Sequence, residues 1–145
     1  MDFSKAFDVV PRRRLLGKRS LYGINGRILC WIEAFLTDRV QGVVVEGFRS
    51  PEGRVLSGVS QGTVLGPLLF LLHINDLPSV ITSQIRLFAD DCLIYHPIRC
   101  SADCEALQRD LDSLVRWSSA WGMKFNTKMS NYVHRQWKVT SYLSV

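Results

Sequence analysis

The sequence predicts an α+β domain in which helices cover one face of an antiparallel sheet. Residues 84–88 alternate between polar and apolar side chains, and residues 92–95 are again β-prone, so the two segments should pair as a hairpin with Asp90 and Asp91 at its tip. Elsewhere apolar residues recur at helical spacing, most clearly in the segments 27–36, 67–75 and 101–121. Helices that alternate with strands around an antiparallel hairpin favour this layered architecture.

Length and charge limit what the chain can be. Its 145 residues correspond to one domain at most, and 47% apolar residues are enough for a hydrophobic core. A net charge of +5 fits a polyanionic partner without requiring one. Much of the excess lies in residues 12–14 and in Lys18 and Arg19, where a solvated helix face is an equally good explanation.

The first half predicts a strand, two helices and a β-ribbon. Residues 2–4 should end a strand, and Pro11 can open a helix over residues 12–21. A second helix over residues 27–36 should bury the stripe formed by Ile28, Trp31, Ile32 and Phe35. Two strands then form the ribbon, with bounds 40–46 and 54–56 and a turn at 47–53.

The second half predicts two further helices and short closing strands. Residues 67–75 read as an apolar core helix, and Ser101 is a plausible N-cap for a long helix that ends near Trp121. The predicted core stripe of the long helix consists of Cys104, Leu107, Leu111, Leu114 and Val115. The closing strands are expected at residues 123–125 and 132–133.

The four cysteines form no CxxC motif and have no histidine at zinc-binding spacing, so free thiols in a reducing compartment are expected. No signal peptide opens the chain, and the most apolar segment, residues 64–72, is too short to cross a bilayer. These features predict an intracellular protein, nuclear or cytoplasmic, that is neither secreted nor bound to a membrane.

The adjacent carboxylates of Asp90 and Asp91 lie inside an otherwise apolar run. Two buried carboxylates without partners would be costly, so the pair calls for a cation such as Mg²⁺, which prefers oxygen ligands. An ordinary aspartate-rich turn is the other explanation, and the dipeptide alone leaves both open. A third carboxylate would complete a site for two metal ions.

Longer motifs decide between these explanations. They are Asp2-Phe-Ser-Lys-Ala-Phe-Asp8, Ser57-Gly-Val-Ser-Gln-Gly-Thr-Val-Leu-Gly-Pro67, Ile74-Asn-Asp-Leu77, Phe88-Ala-Asp-Asp91 and Trp121-Gly-Met-Lys-Phe-Asn126. In content and order they resemble motifs of the reverse transcriptases of non-LTR retrotransposons (LINE-like, jockey/CR1-type). The resemblance implies a polymerase palm over residues 1–131, with fingers and thumb missing, and leaves residues 132–145 as a divergent tail.

The resemblance also implies a catalytic site. Asp2 and Asp90, with Asp91 as a weaker or indirect ligand, would hold two Mg²⁺ ions, Mn²⁺ being a possible substitute, and the carbonyl of Phe3 would be an extra ligand. By itself Asp2 would be no more than an N-terminal cap. Asp8, the rival carboxylate of this segment, is expected to support the neighbouring loop instead.

Further substrate-binding positions follow from the same resemblance. Phe7 matches a steric gate that would favour deoxynucleotides, although a core aromatic is an equally good interpretation. Gln61 and Gly62 match a pair that approaches the nucleotide. Lys128 is the candidate for the triphosphate, but the family's register falls on Met129. Three further positions depart from the family: Ser60 replaces a usual proline, Arg12 a common histidine, and Arg19 a common leucine that faces the core.

The function implied is RNA-directed DNA polymerisation, in which dNTPs are added to the 3′-hydroxyl of a DNA primer on an RNA template. The alternatives are a catalytically dead retrotransposon remnant and a non-catalytic nucleic-acid-binding module. Self-association is also expected, through the apolar face that the missing domains would cover.

Overall fold

The computed structural model describes residues 1–126, apart from the side chains of residues 19 and 20, and it confirms the α+β class. The helices are α1 (Ala6–Val9), α2 (Arg12–Gly17), α3 (Gly26–Leu36), α4 (Leu65–Ile74) and α5 (Ser101–Trp121), with 3₁₀ turns at Lys18–Tyr22 and Leu77–Val80. The strands are β1 (Val40–Gln41), β2 (Val44–Val45), β3 (Phe48–Arg49), β4 (Gly53–Arg54), β5 (Gln84–Phe88) and β6 (Asp91–Tyr95).

The central hairpin is formed by β5 and β6, which pair antiparallel from Gln84 opposite Tyr95 to Phe88 opposite Asp91. Burial alternates along both strands, as expected for a sheet with one packed face. The amino-terminal segment lies beside β6 and pairs through isolated bridges, rather than through the longer strand that the sequence predicts.

Phe3 lies at the centre of the core, where it is 1% exposed. Its ring stacks on that of Phe125, with centroids 4.6 Å apart, and meets the rings of Phe70 on α4 and Trp117 on α5 at 6.3 Å. The packed face of the sheet therefore rests on α4 and α5. Residue 125, in the predicted closing strand, makes one bridge to Phe3, and the strand expected at 132–133 lies outside the described residues.

Helix α3 has nearly the predicted bounds, but the predicted stripe is wrong in part. Ile32 and Leu36 are buried, whereas Ile28 is 64% and Trp31 59% exposed. The helix packs through a narrower face than the sequence suggests, because only its inner side meets the core. The exposed ring of Trp31 lies against Phe35 of the same helix, with centroids 6.2 Å apart.

The N-cap of helix α5 is Cys100 rather than the predicted Ser101, which is instead the first residue of the helix. The carboxylate of Asp103 accepts hydrogen bonds from the backbone N–H groups of Arg99 and Cys100, so a carboxylate three residues into the helix fixes the start. These bonds lower the pKa of Asp103.

The predicted stripe of α5 is also corrected. Cys104 is exposed and Val115 is 57% exposed, whereas Trp117 and Ser118 are buried with Leu114. Asp110 is buried too. The cost of burying its carboxylate is offset by hydrogen bonds from the backbone N–H groups of Thr82 and Ser83, just before β5. A polar residue inside the stripe thus anchors the hairpin to the helix.

The β-ribbon differs from its prediction in where it turns. Strand β1 pairs with β4, and β2 pairs with β3, so the chain reverses at Glu46 and Gly47 rather than over residues 47–53. Both residues have positive φ, 51° and 83°, which is the requirement of a type I′ hairpin turn. Residues 40–54 are all exposed, and Phe48 at the tip is 81% exposed.

Lys18 occupies a buried polar cluster rather than a solvated helix face. Its ammonium group donates to Asp76 Oδ1 at 2.5 Å and to the carbonyl of His73, and it lies 3.8 Å from the ring centroid of Trp121. Trp117 Nε1 donates to the same Asp76 oxygen at 3.1 Å. The cluster joins the end of α2 to α4 and α5.

None of the helices within residues 1–126 is long and apolar enough to span a bilayer. All four cysteines are free, as predicted, and only Cys92 among them is buried. Burial raises the pKa of the Cys92 thiol to about 11.

Candidate metal and nucleotide site

The candidate site is built where the amino-terminal segment meets the tip of the central hairpin. Asp2 forms an antiparallel bridge with Asp91. The N–H of Phe3 donates to the carbonyl of Asp90 at 3.3 Å, and the N–H of Cys92 donates to the carbonyl of Met1 at 2.8 Å. Backbone pairing therefore brings Asp2, Asp90 and Asp91 to one end of the sheet.

Side-chain direction follows from that pairing. Residues directly opposite each other in an antiparallel pair project to the same face, so Asp2 and Asp91 share one face. It is the open face, because Phe3 and Cys92, the next residue along each segment, are both buried on the other side. Asp91 is exposed and Asp2 partly exposed, as a site that admits a ligand requires.

Asp90 lies in the two-residue turn, together with Ala89. Ala89 has φ 51°, in the left-handed region that disfavours a residue with a Cβ. A strained turn persists only where its surroundings determine it, and such positions cluster at functional sites. Here the pairing of Phe88 with Asp91 and the bond from Phe3 to the Asp90 carbonyl hold the turn.

The donor chemistry of this end fits a hard divalent cation, since Asp2, Asp90 and Asp91 all offer carboxylate oxygens. Within residues 1–126, however, no three His, Cys, Asp or Glu side chains are grouped closely enough to hold a metal ion. The backbone thus brings the three residues together without forming a finished ligand set.

Asn126 is a site neighbour whose role the motifs alone did not predict. Its N–H donates to the carbonyl of Asp2 at 2.7 Å, and its side-chain amide lies 3.5 Å from Asp2 Oδ2. Ser4 donates in turn to the carbonyl of Lys124 at 2.8 Å. The segment after α5 therefore flanks Asp2 on the side away from the hairpin.

The two aromatic candidates differ in exposure. The ring of Phe3 belongs to the core, which leaves only its backbone for a ligand, as the extra-ligand role requires. Phe7 is half-buried, and its ring centroid lies 4.7 Å from that of Phe70. This packing agrees with a core aromatic, and the remaining exposed part leaves the steric-gate role a prediction.

The loop over residues 57–62 is tied to the amino-terminal segment by Asp8. Gln61 Nε2 donates to Asp8 Oδ1 at 2.9 Å, and Ser57 Oγ donates to the Asp8 carbonyl at 2.8 Å. Gly58 has φ 81°, and a Cβ there would lie 2.7 Å from the carbonyl oxygens of Phe7 and Asp8. Asp8 thus supports this loop, as expected from the sequence.

Gln61 and Gly62 are both exposed on that loop, and Gly62 has φ 73° with open space where a Cβ would stand. They are accessible to a nucleotide, but the bond to Asp8 holds the Gln61 amide. Lys128 and Met129 lie outside the described residues. Lys124, the other lysine of that motif, is exposed.

Arg12 lies next to the same loop and donates to the carbonyl of Ser57 at 3.3 Å. Arg39 and Arg54 line one cavity with it, although they are far apart in sequence. Burial, and then the charge of Arg39, lower the pKa of Arg12. Apart from the basic net charge, no sequence pattern indicated that these three arginines would converge.

The class of protein follows from comparison with known families. A family model described as "Reverse transcriptase (RNA-dependent DNA polymerase)" matches residues 1–144. The chain therefore belongs to the reverse transcriptase family. The match includes residues 132–144, which the motif comparison left outside the resemblance; the boundary at residue 131 stays a prediction.

Individual relatives narrow the family. The chain is 31% identical over 136 residues to the "RNA-directed DNA polymerase from mobile element jockey" of Drosophila funebris, an alignment covering 87% of this chain and 15% of the relative. It is 32% identical over 108 residues to the "Probable RNA-directed DNA polymerase from transposon X-element" of Drosophila melanogaster, covering 70% and 12%. These matches confirm the resemblance to reverse transcriptases of LINE-like elements. The chain spans about 15% of the length of the jockey relative.

Proposed function

We propose that the chain is the palm of an RNA-directed DNA polymerase that adds dNTPs to a DNA primer on an RNA template. The observation that supports this most strongly is the backbone pairing of Asp2 with Asp91 beside the Asp90 turn. A motif that begins at Asp2 and a motif that begins at Phe88 thereby reach the same end of the sheet. The reverse transcriptase family and the names of the relatives supply the reaction.

In this proposal Asp2, Asp90 and Asp91 hold two Mg²⁺ ions, which would neutralise charge on the attacking 3′-hydroxyl and on the triphosphate. Asp90 lies in the turn at the tip of the hairpin, and the backbone N–H of Asn126 holds Asp2 from the other side. The restrained backbone reduces the reorganisation that ligand binding demands of these side chains. The carbonyl of Phe3 is the remaining candidate ligand.

Around that centre, Phe7 would lie under the sugar and exclude a 2′-hydroxyl, while Gln61 and Gly62 would contact the incoming nucleotide. Gln61 donates a hydrogen bond to Asp8, the residue after Phe7, so the segments that carry the two candidates are directly connected. Lys128 would bind the triphosphate.

The test is primer extension by the 145-residue chain on an RNA template with Mg²⁺ or Mn²⁺. Asp90→Ala should abolish incorporation of dNTPs, because it removes a principal metal ligand. Asp112→Ala is the matched control, since Asp112 is an exposed carboxylate on α5 that accepts a hydrogen bond from Gln108 of the same helix. Equal activity of wild type and Asp90→Ala would contradict the proposal.

The same assay separates the two alternatives. A chain without incorporation whose Mg²⁺ binding is weakened by Asp2→Ala would be a catalytically dead remnant. A chain whose nucleic-acid binding is salt-sensitive but indifferent to every aspartate substitution would be a non-catalytic binding module.

A further inference from the structure

We infer that Arg12, Arg39 and Arg54 form a phosphate-binding pocket, separate from the aspartate site, between helix α2 and the base of the β-ribbon. The three side chains line a cavity of about 310 Å³. A cavity of this size is at the lower end of the range for small-ligand sites. Phosphate binding in this pocket does not require metal binding by the three aspartates, so it can be tested independently of the proposed polymerase activity.

Unpartnered guanidinium atoms are the main evidence. Arg12 Nε and Arg39 Nη1 are both buried, and neither has a hydrogen-bond partner. A buried donor without an acceptor is costly, and a charged donor more so. An oxygen-rich anion in the cavity would satisfy both, and the planar guanidinium group matches the geometry of phosphate.

The positive charge of the arginines that line the cavity also favours binding of an anion. Arg12 and Arg39 are close enough for the charge of one to disfavour the charge of the other. Asp38 also lines the cavity, but within residues 1–126 it makes no ion pair with an arginine. Two cations held together without an anion repel each other, and a bound phosphate would turn that repulsion into attraction.

The position of the pocket connects it to the candidate nucleotide site. Arg12 donates to the carbonyl of Ser57, and Ser57 Oγ donates to the carbonyl of Asp8. Arg54 lies on β4, opposite Val40 of β1, so the pocket also includes the ribbon. The phosphate can come from a nucleic-acid backbone or from a free nucleotide, and both present the same chemistry to the arginines.

The experiment measures the Nε–H NMR signal of Arg12 in the 145-residue chain, assigned by its loss in Arg12→Gln. Inorganic phosphate should shift this signal, and the source is found by adding a short RNA or DNA oligonucleotide in one arm and dTTP in another. A larger shift at lower concentration with the oligonucleotide identifies a backbone phosphate; the reverse identifies a nucleotide. No shift with phosphate, oligonucleotide or dTTP would overturn the inference.

The second measurement is the binding affinity of arginine variants. Its ligand is whichever phosphate source, oligonucleotide or dTTP, gives the larger NMR shift at lower concentration. Arg12→Gln and Arg39→Gln should each weaken its binding about tenfold, the loss expected for one charge-assisted contact. Arg13→Gln is the matched control, because Arg13 is an exposed neighbour on α2 with the same charge. Arg54→Gln lies on the exposed ribbon, so it tests the pocket even if the other variants fold poorly. Equal losses for Arg13→Gln and the three pocket variants would reduce the effect to net charge and contradict the inference.

Discussion

The central hairpin of β5 and β6 and the ribbon of β1 to β4 are both antiparallel, yet they are stabilised in opposite ways. The hairpin packs one face on the core, and the amino-terminal segment pairs with its second strand. The ribbon buries none of its residues from 40 to 54 and depends on its own hydrogen bonds and its I′ turn. Packing therefore holds the acidic end of the sheet in place, whereas the ribbon is exposed to solvent along its whole length.

The exposed ribbon also bears on association. Val43, Val44, Val45 and Phe48 are each more than 60% exposed, and an apolar surface of this kind is typical of an interface. The self-association expected from the sequence, through the apolar face that the missing domains would cover, stays a prediction. A monomer at high protein concentration would argue against it.

The largest expected difference between the two regions comes from one substitution made in each. Phe3→Ala should lower the free energy of unfolding by about 3–5 kcal/mol, because it leaves a cavity at the centre of the core. Phe48→Ala should change it by less than about 0.5 kcal/mol, because the ring is exposed. Urea unfolding followed by tryptophan fluorescence measures both losses, and similar losses for the two variants would show that the ribbon contributes as much packing energy as the core.

The packed region and the ribbon also differ in their ion pairs, since Lys18–Asp76 is largely buried and Arg49–Glu52 is exposed. Asp76→Ala should cost about 3–5 kcal/mol, because it leaves the ammonium of Lys18 buried without its carboxylate. Burial already lowers the pKa of Lys18, and the hydrogen bond and charge of Asp76 oppose that effect.

The matched control is Glu52→Ala, which removes a 2.5 Å ion pair with Arg49 on the ribbon. Both partners of that pair are exposed, so the loss should stay below about 1 kcal/mol. The same unfolding measurement applies. A cost below 1 kcal/mol for Asp76→Ala would show that the Lys18 cluster does not hold α2 in place.

The pH dependence of stability gives a third and smaller effect, confined to the packed region. Burial, followed by the charge of Lys18, lowers the pKa of His73 from 6.5 to about 4. Between these values the unfolded chain binds the proton and the folded chain does not, so stability falls as the pH decreases from 6.5 to 4. The loss should approach about 3 kcal/mol, since each pKa unit corresponds to about 1.4 kcal/mol.

Replacing His73 isolates this contribution from that of the carboxylates. His73→Leu should remove that part of the pH dependence, and the difference between the two unfolding profiles measures it. The substitution also deletes two buried ring nitrogens that lack hydrogen-bond partners, so its cost at pH 7 should be small. Parallel profiles for the two proteins would contradict the assignment.

Local pattern predicted much of this fold. Helical periodicity located α3, α4 and α5, and polar–apolar alternation located β5 and β6. Each pattern works because buried and exposed positions recur along an element at the period of that element. The turn of the ribbon was placed wrongly, since Glu46 adopts a positive φ that its residue type does not indicate. The exposure of Ile28 and Trp31 could not be predicted either, because it depends on which neighbours the helix meets.

The candidate site shows the same limit. Motifs named Asp2, Asp90 and Asp91, and the backbone pairing of Asp2 and Asp91 agrees with the placement that those motifs imply. No motif joined Arg12 to Arg39, or Lys18 to Asp76. Those contacts arise from the packing of α2 against distant segments, and sequence spacing carries no information about such contacts.

The proposed polymerase activity requires that Asp2, Asp90 and Asp91 bind divalent cations at the end of the sheet. Paramagnetic broadening of backbone NMR signals by Mn²⁺, titrated into the 145-residue chain, tests it most directly. The signals of residues 2 and 89–91 should broaden first, and Asp2→Asn should abolish this selectivity while Asp112→Asn leaves it unchanged. Broadening that is uniform along the chain, or that persists around residues 89–91 in Asp2→Asn, would contradict it.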